Sequence, residues 1–415
     1  MARIAVVGAG ISGLTCAWLL GRSHEVVVFE AEDYIGGHTH TVTVSRPEGE
    51  YSVDTGFIVF NDRTYPNFNK LLDQLGIGRQ ETAMGFAVSA EATGVEYCGD
   101  GLGGVFAQRR NLFSPAHWRM VFEILRFNRQ APELLASDEG ELPLGEYLRR
   151  NGYSDRFLTH YILAMGGAIW SCGEAQMASF PARFFVQFFH NHGLLALRNR
   201  PQWYVVPGGS RTYVDRMLED MPAVVRPGTP AQSVRRFPEH VAITTQAHGE
   251  EHFDQVVMAC HSDQASALLA DIDAGEKRLL DAIPYQANDV VLHTDASLMP
   301  RNRRTWSSWN ALLPAQGSAA AQVTYNMNIL QGIASPVDFC VTLNATDRID
   351  PASIIGQWRF DHPVFTPEGV QAKEEIARRN GSRRTWFCGA WCRYGFHEDG
   401  VVSALAVAEQ FGEQL

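Results

Sequence analysis

The sequence has 415 residues, 45% of them hydrophobic, which predicts a folded protein with a substantial core and two domains. Its net charge of −11 argues against a nucleic-acid-binding protein, and no apolar run approaches the roughly 20 residues that a membrane span needs. The seven cysteines form no paired framework, no zinc-binding pattern occurs, and the chain starts on a strand-like run rather than a signal peptide. We therefore expect reduced thiols, no metal site and a cytoplasmic protein, with peripheral membrane contact left open.

The first forty residues carry the most specific pattern in the chain. A short apolar run at 3–7 reads as a strand buried on both faces, and a GxGxxG sequence follows it at once. In such a turn the first glycine permits the sharp bend, the second lets the backbone approach a pyrophosphate, and the third lets the next helix pack on the strand. The residues predicted to bind a dinucleotide here are Gly8, Ala9, Gly10, Ile11, Ser12 and Gly13.

A second apolar strand, at 26–29, ends in Glu30, which lies 22 positions after Gly8. That distance is close to the ~20 residues expected for the acid that binds a ribose hydroxyl, so we assign Glu30 and the adjacent Ala31 to the cofactor. The alternative is a βαβ unit whose glycines serve only packing. That alternative does not explain an acid at the end of an otherwise apolar strand.

A glycine pair, Gly36 and Gly37, comes just after this acid and is followed by His38 and Thr39. It resembles the second glycine signature of the flavin-containing amine oxidase and phytoene desaturase superfamily, in which an arginine usually follows the pair. His38, a weaker and titratable cation, takes that place here. Nicotinamide dehydrogenases do not usually carry this extension, so the resemblance implies non-covalently bound FAD rather than NAD.

Other segments share the resemblance and gain expected roles from it. In the superfamily, the segment that corresponds to residues 54–57 returns to the flavin, and the backbone at the position of Val234 gives hydrogen bonds to adenine. The strand end that corresponds to residues 259–260 lies beneath the pyrophosphate. A strand ending in Gly-Ala meets the ribityl chain, and the N-terminus of the last helix stabilises negative charge on the reduced flavin. The further cofactor-binding residues implied are Thr55, Gly56, Phe57, Val234, Ala259, Cys260, Gly389, Ala390, Asp399, Gly400 and Val401. An ordinary buried C-terminal helix is the alternative for the last three.

The segments 53–68, 323–331, 362–365 and 395–400 narrow the resemblance to one branch, usually called predicted NAD/FAD-binding oxidoreductases. Similar sequences form the N-terminal half of plant cyclopropane fatty acid synthases, and in bacteria they accompany cyclopropane-synthase-like methyltransferases. The resemblance therefore implies a lipid-like substrate, and it makes such a methyltransferase a candidate partner.

The order of the elements predicts an α/β fold with two domains that are discontinuous in sequence. We expect a Rossmann-type FAD-binding domain, glutathione-reductase-like and of the amine oxidase type, formed by residues 1–76, 204–280 and 381–415. A mixed sheet and helical substrate domain takes the rest, with a helical cap at 77–203 and a sheet at 281–380. Within the first domain, the segments 230–236, 241–245 and 253–259 read as a trio of strands.

The predicted cap is helical from 113 to 200 and contains a stretch dense in phenylalanine at 180–189. Ser114 and Pro115 have the residue types of a helix start. The phenylalanines could line an apolar tunnel, but for any single one of them packing in a core is the preferred interpretation.

A bound flavin makes hydride or electron transfer the expected reaction. Amine oxidases keep a lysine near the reactive flavin nitrogen in their second substrate segment, whereas residues 285–345 contain no lysine. We therefore expect an FAD-dependent dehydrogenase or desaturase that acts on an apolar substrate such as a modified fatty acyl chain. The predicted catalytic residues are Tyr325, Asn328 and His397, with Asn326 and Glu398 beside them, and a purely structural role is equally open for each. A redox-neutral flavin-dependent isomerase and a non-catalytic flavoprotein partner of a lipid methyltransferase are the two rival functions.

Overall fold

The computed structural model describes residues 1–170, 173–196, 199–315 and 322–415. Within them the strands, in chain order, are β1 (Arg3–Val7), β2 (Glu25–Phe29), β3 (Thr41–Arg46), β4 (Gly49–Asp54), β5 (Val59–Asn61), β6 (Gln80–Thr82), β7 (Phe86–Ala90), β8 (Val95–Cys98), β9 (Trp203–Val205), β10 (Val224–Arg226), β11 (Ala231–Arg236), β12 (Val241–Thr245), β13 (Gly249–Phe253), β14 (Gln255–Met258), β15 (Tyr285–His293), β16 (Trp309–Leu313), β17 (Gln322–Asn326), β18 (Cys340–Leu343), β19 (Ile354–Pro363) and β20 (Thr385–Phe387).

The α-helices are α1 (Ile11–Leu20), α2 (Pro66–Leu75), α3 (Gly101–Val105), α4 (Pro115–Gln130), α5 (Leu144–Arg150), α6 (Asp155–Phe157), α7 (Ala164–Trp170), α8 (Glu174–Ser179), α9 (Ala182–Asn191), α10 (Arg211–Asp220), α11 (Ser262–Leu268), α12 (Ala274–Asp281), α13 (Met327–Leu330), α14 (Pro367–Arg379) and α15 (His397–Ala408). A π-helical stretch, Leu158–Leu163, joins α6 to α7.

A five-stranded parallel sheet, in the order β10-β2-β1-β14-β20, forms the first layer. Its central strands are apolar on both faces because α1 covers one side and the β11–β12 region covers the other. Every residue of α1 is buried, and this helix packs along α15. Since the carboxyl ends of parallel strands share one edge, the predicted cofactor segments that follow β1, β2, β14 and β20 meet at that edge.

The trio of strands predicted for residues 230–259 is partly wrong. β11, β12 and β13 form the antiparallel three-stranded sheet, so its third strand lies at 249–253. The last part of the segment, β14, instead pairs in parallel with β1. The chain turns between them at Asp254, which exchanges hydrogen bonds with the backbone of Arg3. The three apolar residues that follow are buried in the parallel sheet.

The second large sheet has seven strands in the order β19-β15-β18-β17-β16-β7-β8. All its neighbouring strands are antiparallel except β7 and β16, which run parallel. It combines strands from 86–98 with strands from 285–363, so an early segment and a late segment of the chain form one layer. This arrangement agrees with a discontinuous substrate domain, whereas the predicted domain boundaries themselves remain our division of the chain.

Helices α3 to α9 pack beside this sheet and contain the phenylalanine-rich stretch. Phe185 and Phe189 are fully buried and stack on each other with ring centroids 4.1 Å apart, and Phe188 is nearly as buried. The interpretation as core packing is therefore confirmed for these three residues. Phe184 differs, because it is only partly buried and packs against Phe365 and Tyr394 from the C-terminal third of the chain.

The helix start predicted at Ser114 and Pro115 is confirmed, and a glycine ends another helix. α4 begins at Pro115, and the hydroxyl of Ser114 accepts the N–H of His117 at 3.3 Å. α2 ends at Gly76, whose positive φ of 68° closes the helix in the left-handed conformation.

Candidate functional site

The GxGxxG segment forms the turn between β1 and α1, and its three glycines differ in what surrounds them. A Cβ on Gly8 would lie 3.0 Å from the carbonyl oxygen of Ala259, and a Cβ on Gly13 would lie 1.9 Å from that of Gly8. A Cβ on Gly10 would meet nothing within 4 Å, so the backbone there faces open space. The first intrahelical hydrogen bond joins the N–H of Leu14 to the Gly10 carbonyl, and the earlier N–H groups of α1 have no intrahelical acceptor. The turn therefore has the geometry of an anion-binding helix start.

Glu30, at the end of β2, lies directly beside this turn. Its carboxylate accepts the N–H of Ala9 at 2.7 Å and that of Glu32 at 3.0 Å. The structure thus places the predicted ribose-binding acid at the rim of the glycine turn, with exposed Ala31 next to it. The position is the one that a ribose hydroxyl needs, and the contact with the sugar remains a prediction.

The second glycine pair lies on the first turn. The N–H of Gly36 donates to the Ala9 carbonyl at 3.0 Å, and a Cβ on Gly37 would come within 3.0 Å of the Gly10 Cα. The segment after the pair contacts residues 54–57, which we call the return loop, because the carbonyl of His38 accepts the N–H of Phe57 at 2.7 Å. A Cβ on Gly56 would lie 2.0 Å from that same carbonyl oxygen, which explains the glycine. Residues 36–39 and 55–57 therefore form one wall next to the turn.

The C-terminal segments complete the enclosure. A Cβ on Gly400 would lie 2.7 Å from the Ile11 side chain, 2.9 Å from the Ser12 hydroxyl and 3.9 Å from the backbone nitrogen of Ala390. The first turns of α1 and α15 and the end of β20 are thus in contact. Gly389 is fixed by a hydrogen bond from its N–H to the hydroxyl of Ser403. Two helix N-termini consequently converge beside the glycine turn.

The start of α15 lies earlier than predicted. The sequence placed its first N–H groups at Asp399, Gly400 and Val401, whereas the helix begins at His397. The Asp399 carboxylate accepts the N–H groups of Phe396 and Tyr394, so it caps the helix from its third position. The Gly400 N–H already bonds the Phe396 carbonyl, and the Val401 side chain is fully buried. The backbone N–H groups available at this helix end therefore belong to residues 397–399.

Two further predicted cofactor residues, Val234 and Cys260, have backbone carbonyls that are engaged by the protein. The Val234 carbonyl accepts the N–H of Ala270 at 2.9 Å and its side chain is buried, so its predicted adenine contact stays a prediction. Cys260 follows β14 directly, and its carbonyl accepts the indole N–H of Trp391. Burial raises the pKa of the Cys260 thiol to about 12, which keeps this residue a thiol.

His397 is held in a buried aromatic cluster rather than free to exchange protons. Its Nε2 lies 2.8 Å from the Tyr213 hydroxyl, which in turn lies 2.5 Å from the Thr39 hydroxyl. The Phe57 ring stacks on the imidazole with centroids 3.6 Å apart. Burial lowers the pKa of His397 to about 3, so the imidazole is neutral at neutral pH. It connects the two walls of the site, and Tyr213 is a site residue that the sequence patterns did not indicate.

Glu398, predicted beside His397, has a structural role. Its carboxylate accepts the N–H of Asn67, the side-chain N–H of Asn67 and the N–H of Phe68, at 2.7–3.0 Å. These are the free donors at the start of α2, so Glu398 caps that helix from another part of the chain. Burial raises the pKa of Glu398, and these three donors oppose the shift.

Asn328 also has protein partners for its side chain, and its predicted catalytic role stays a prediction. Its side-chain oxygen accepts the N–H of Phe339 and its nitrogen donates to the Val337 carbonyl, both at 2.8 Å. The amide is therefore engaged at both ends in joining α13 to β18. Asn326 caps α13 by accepting the N–H of Ile329, so it too belongs to this turn.

Tyr325 remains a candidate catalytic residue. It is buried in the layer between the seven-stranded sheet and the return loop, near Ile58, with its ring 5.2 Å from that of Trp309. The buried indole N–H of Trp309 beside it has no hydrogen-bond partner within the described ranges. This polar atom on an apolar wall is thus free to contact a bound molecule.

A histidine cluster, formed by His38, His261 and His362, was not predicted as a unit. The ring of His38 lies 6.1 Å from that of His261 and 5.4 Å from that of His362, and all three are half-buried. Burial lowers the pKa of each of them, that of His362 to about 4. The Nε2 of His38 is buried without a partner among the residues that the structure describes. Over the same residues, no group of three potential ligands is arranged to hold a metal ion.

This cluster allows a test of whether a flavin dinucleotide fits. His38 follows Gly37, which contacts Gly10, and His261 lies two residues after Ala259, whose carbonyl contacts Gly8. The open space at Gly10 has room for a diphosphate. The free N–H groups of two converging helix N-termini and an unpaired imidazole nitrogen are groups that can bind one. The residues present therefore fit a diphosphate-bearing cofactor.

Comparisons with known proteins agree with this geometry. The family model for flavin containing amine oxidoreductases matches residues 11–320. A 15-cis-phytoene desaturase from Synechococcus elongatus is 36% identical over 76 residues, which are 18% of this chain and 15% of the desaturase. The solved structure of a CLA-producing fatty acid isomerase from P. acnes has a similar fold. The match covers 99% of this chain and 98% of the isomerase chain, with a TM-score of 0.71 and 16% sequence identity.

A second solved structure, cyclohexylamine oxidase from Brevibacterium oxydans IH-35A, also has a similar fold. That match covers 99% of each of the two chains, with a TM-score of 0.67 and 16% sequence identity. At these identities the two structures establish a shared fold and no more. No helix within the described ranges is long and apolar enough to cross a membrane.

Proposed function

The chain belongs to the flavin-containing amine oxidoreductase family, and from that premise we propose an FAD-dependent dehydrogenase or desaturase that acts on an apolar, lipid-like substrate such as a modified fatty acyl chain. The observations that carry the cofactor assignment are the open space at Gly10, where the first turns of α1 and α15 meet, and the unpaired Nε2 of His38 in the segment that follows the glycine pair. When bound, the flavin accepts a hydride or electrons from a substrate C–H bond.

FAD, rather than a mononucleotide, is supported by Glu30. Its carboxylate lies beside the glycine turn, where the ribose of an adenine dinucleotide would be held, and a mononucleotide has no sugar to place there. We propose that attachment is non-covalent. The raised pKa of Cys260 supports this, because a protonated thiol is a poor nucleophile.

The substrate class is argued from the walls of the site. The described part of 285–345 places Tyr325 and Trp309 among buried aliphatic residues, and the whole segment has no lysine. These walls favour an apolar chain and exclude water from the reacting bond. The likeness to a phytoene desaturase over a short segment is in keeping with such a substrate. The backbone N–H groups at 397–399 would stabilise negative charge at the far side of the cofactor.

The decisive experiment is an absorption spectrum of the purified protein, followed by anaerobic titration with acyl chains and, separately, with primary amines. We expect a flavin spectrum, release of FAD on denaturation, and bleaching by an unsaturated or methyl-branched acyl chain but not by amines. Bleaching by amines alone would refute the substrate class. Conversion of the lipid with no net consumption of an electron acceptor would indicate the isomerase instead.

The cofactor assignment has its own matched pair of variants. Glu30→Ala should lower flavin occupancy after gel filtration, whereas Glu32→Ala, two residues away and exposed, should leave it unchanged. Equal flavin content in both variants would contradict the role of Glu30.

The resemblance to proteins that accompany cyclopropane-synthase-like methyltransferases supports one such enzyme as a partner. Co-purification of the two proteins from cells that express both would test this. A partner that never co-purifies, while lipid still bleaches the flavin, would leave the enzyme assignment intact and remove the partner.

A further inference from the structure

The outer surface of residues 101–130 exposes many large apolar side chains. Within the described ranges, ten large hydrophobic residues are exposed, and five of them lie in this short segment. We call these five the apolar patch: Leu102, Leu112, Phe113, Phe122 and Leu125. The exposed fraction reaches 74% for Leu102, 87% for Phe113 and 62% for Phe122. Such side chains, exposed together, mark a surface that contacts another body.

The patch belongs to one rigid surface rather than to a loose loop. Trp118 on α4 stacks on Phe122 and also packs on Phe106, with ring centroids 5.9 Å and 4.6 Å apart. Its indole N–H donates to the Leu112 carbonyl, which fixes the turn Arg109–Phe113 to the helix. Phe113, at the end of that turn, therefore projects from a supported backbone.

The same thirty residues are basic in an acidic protein. They contain five arginines, at 109, 110, 119, 126 and 129, and one acid, Glu123, whereas the whole chain carries −11. Arg119 is paired with Glu123 at 3.0 Å, and Arg126 lies over the Tyr153 ring. Arg109 and Arg129 are exposed, and the described residues offer neither of them an ion-pair partner. Unpaired arginines around exposed aromatic side chains are complementary to an anionic, partly apolar surface.

We propose that this face docks on an anionic lipid bilayer, with the apolar patch in the interfacial layer and the arginines among the headgroups. Projecting phenylalanine side chains suit insertion between lipids, and basic residues next to a bilayer gain from its negative surface potential. A second copy of the chain is a poorer occupant. A two-fold interface would place the patch against itself and so bring like charges together. The proposal does not depend on the reaction that the enzyme catalyses.

Vesicle sedimentation tests this with the flavin-loaded protein. We expect the protein to pellet with phosphatidylcholine vesicles that contain phosphatidylglycerol, and about tenfold less with phosphatidylcholine alone. Adding salt should weaken the binding. The double variant Phe113→Ser with Phe122→Ser should lose at least about tenfold in vesicle affinity. Arg109→Gln with Arg129→Gln should weaken binding to the anionic vesicles and reduce its salt dependence.

Phe237→Ser is the matched control, because Phe237 is also exposed, at 38%, but follows β11 in another sheet. It should bind vesicles like the unchanged protein. Since all five substituted side chains are exposed, flavin content and the unfolding transition should remain constant. Failure of the unchanged protein to bind anionic vesicles, or equal binding by the Phe113 and Phe122 double variant, would overturn the proposal. Self-association that this double variant abolishes, without vesicle binding, would overturn it in favour of a second copy.

Discussion

Replacing Gly10 by alanine should remove flavin binding without unfolding the protein. A Cβ at this position meets no atom within 4 Å, and the backbone has an extended conformation with φ of −74° that alanine adopts freely. The cost to the flavin-free protein is limited to a weaker helix cap, about 1 kcal/mol or less. The same Cβ occupies the space proposed for the diphosphate. The loss of two charge-assisted hydrogen bonds, at about 1.5 kcal/mol or more each, raises the dissociation constant of FAD by about 100-fold or more.

The assay combines fluorescence titration of the apoprotein with FAD and urea unfolding of the same preparation. Gly13→Ala is the contrasting variant, because its Cβ would lie 1.9 Å from the Gly8 carbonyl oxygen, which no side-chain rotation can relieve. We expect that variant to lose about 3 kcal/mol of stability, at the upper end for overpacking. A Gly10→Ala protein that is stable and binds FAD as tightly as the unchanged protein would refute the assignment of the space at Gly10.

Four further predictions concern the histidines, a cap and a candidate catalytic group. A diphosphate beside the histidine cluster raises the lowered pKa values of its members, so FAD affinity by fluorescence titration should fall as pH rises above about 4, the pKa of His362 in the free protein, and level off above the raised pKa of the complex; His38→Gln should flatten that dependence. The pKa of His397, lowered by burial to about 3, makes stability fully present above about pH 6.5 and lost toward pH 3, by up to ~1.4 kcal/mol per pH unit; urea unfolding that shows the same slope in His397→Gln contradicts this. Glu398→Ala should cost about 2 kcal/mol in urea unfolding and leave FAD affinity unchanged, whereas lost activity at full stability would make Glu398 catalytic. Tyr325→Phe, on the apolar wall beside Trp309, should slow substrate-dependent flavin bleaching in stopped-flow measurements, and an unchanged rate would assign the hydroxyl to structure alone.

Short-range patterns predicted the geometry of the glycine turn well. The glycine turn, its flanking strand and helix, and Glu30 are neighbours in sequence, and their geometry depends mainly on local backbone preferences. The position of β14 was missed, because an apolar run does not reveal which sheet it joins. That outcome depends on the turn at Asp254, which is fixed by contacts with Arg3 from the far end of the chain.

Long-range contacts determined what the sequence could not show. His38, His261 and His362 come from three separate segments, so only the folded chain brings their rings within about 6 Å of one another. Glu398 and Asn328 have residue types that suit catalysis equally well, but hydrogen bonds to other segments engage both of them in structure. Polar identity alone could not separate a cap from a catalytic group.

The acids near the site explain why an amine is a poor candidate substrate. The carboxylate of Glu398 accepts three N–H groups at α2, and that of Asp399 accepts two at its own helix start. Asp54, fully buried, accepts hydrogen bonds from Ser210, Thr41 and Gln331. Each of these carboxylates is satisfied by the protein, so none is left to pair with a protonated amine, and the positive ends of the helix dipoles would repel one. A neutral, apolar chain meets no such electrostatic penalty at the same place, which supports the proposed lipid-like substrate over an amine.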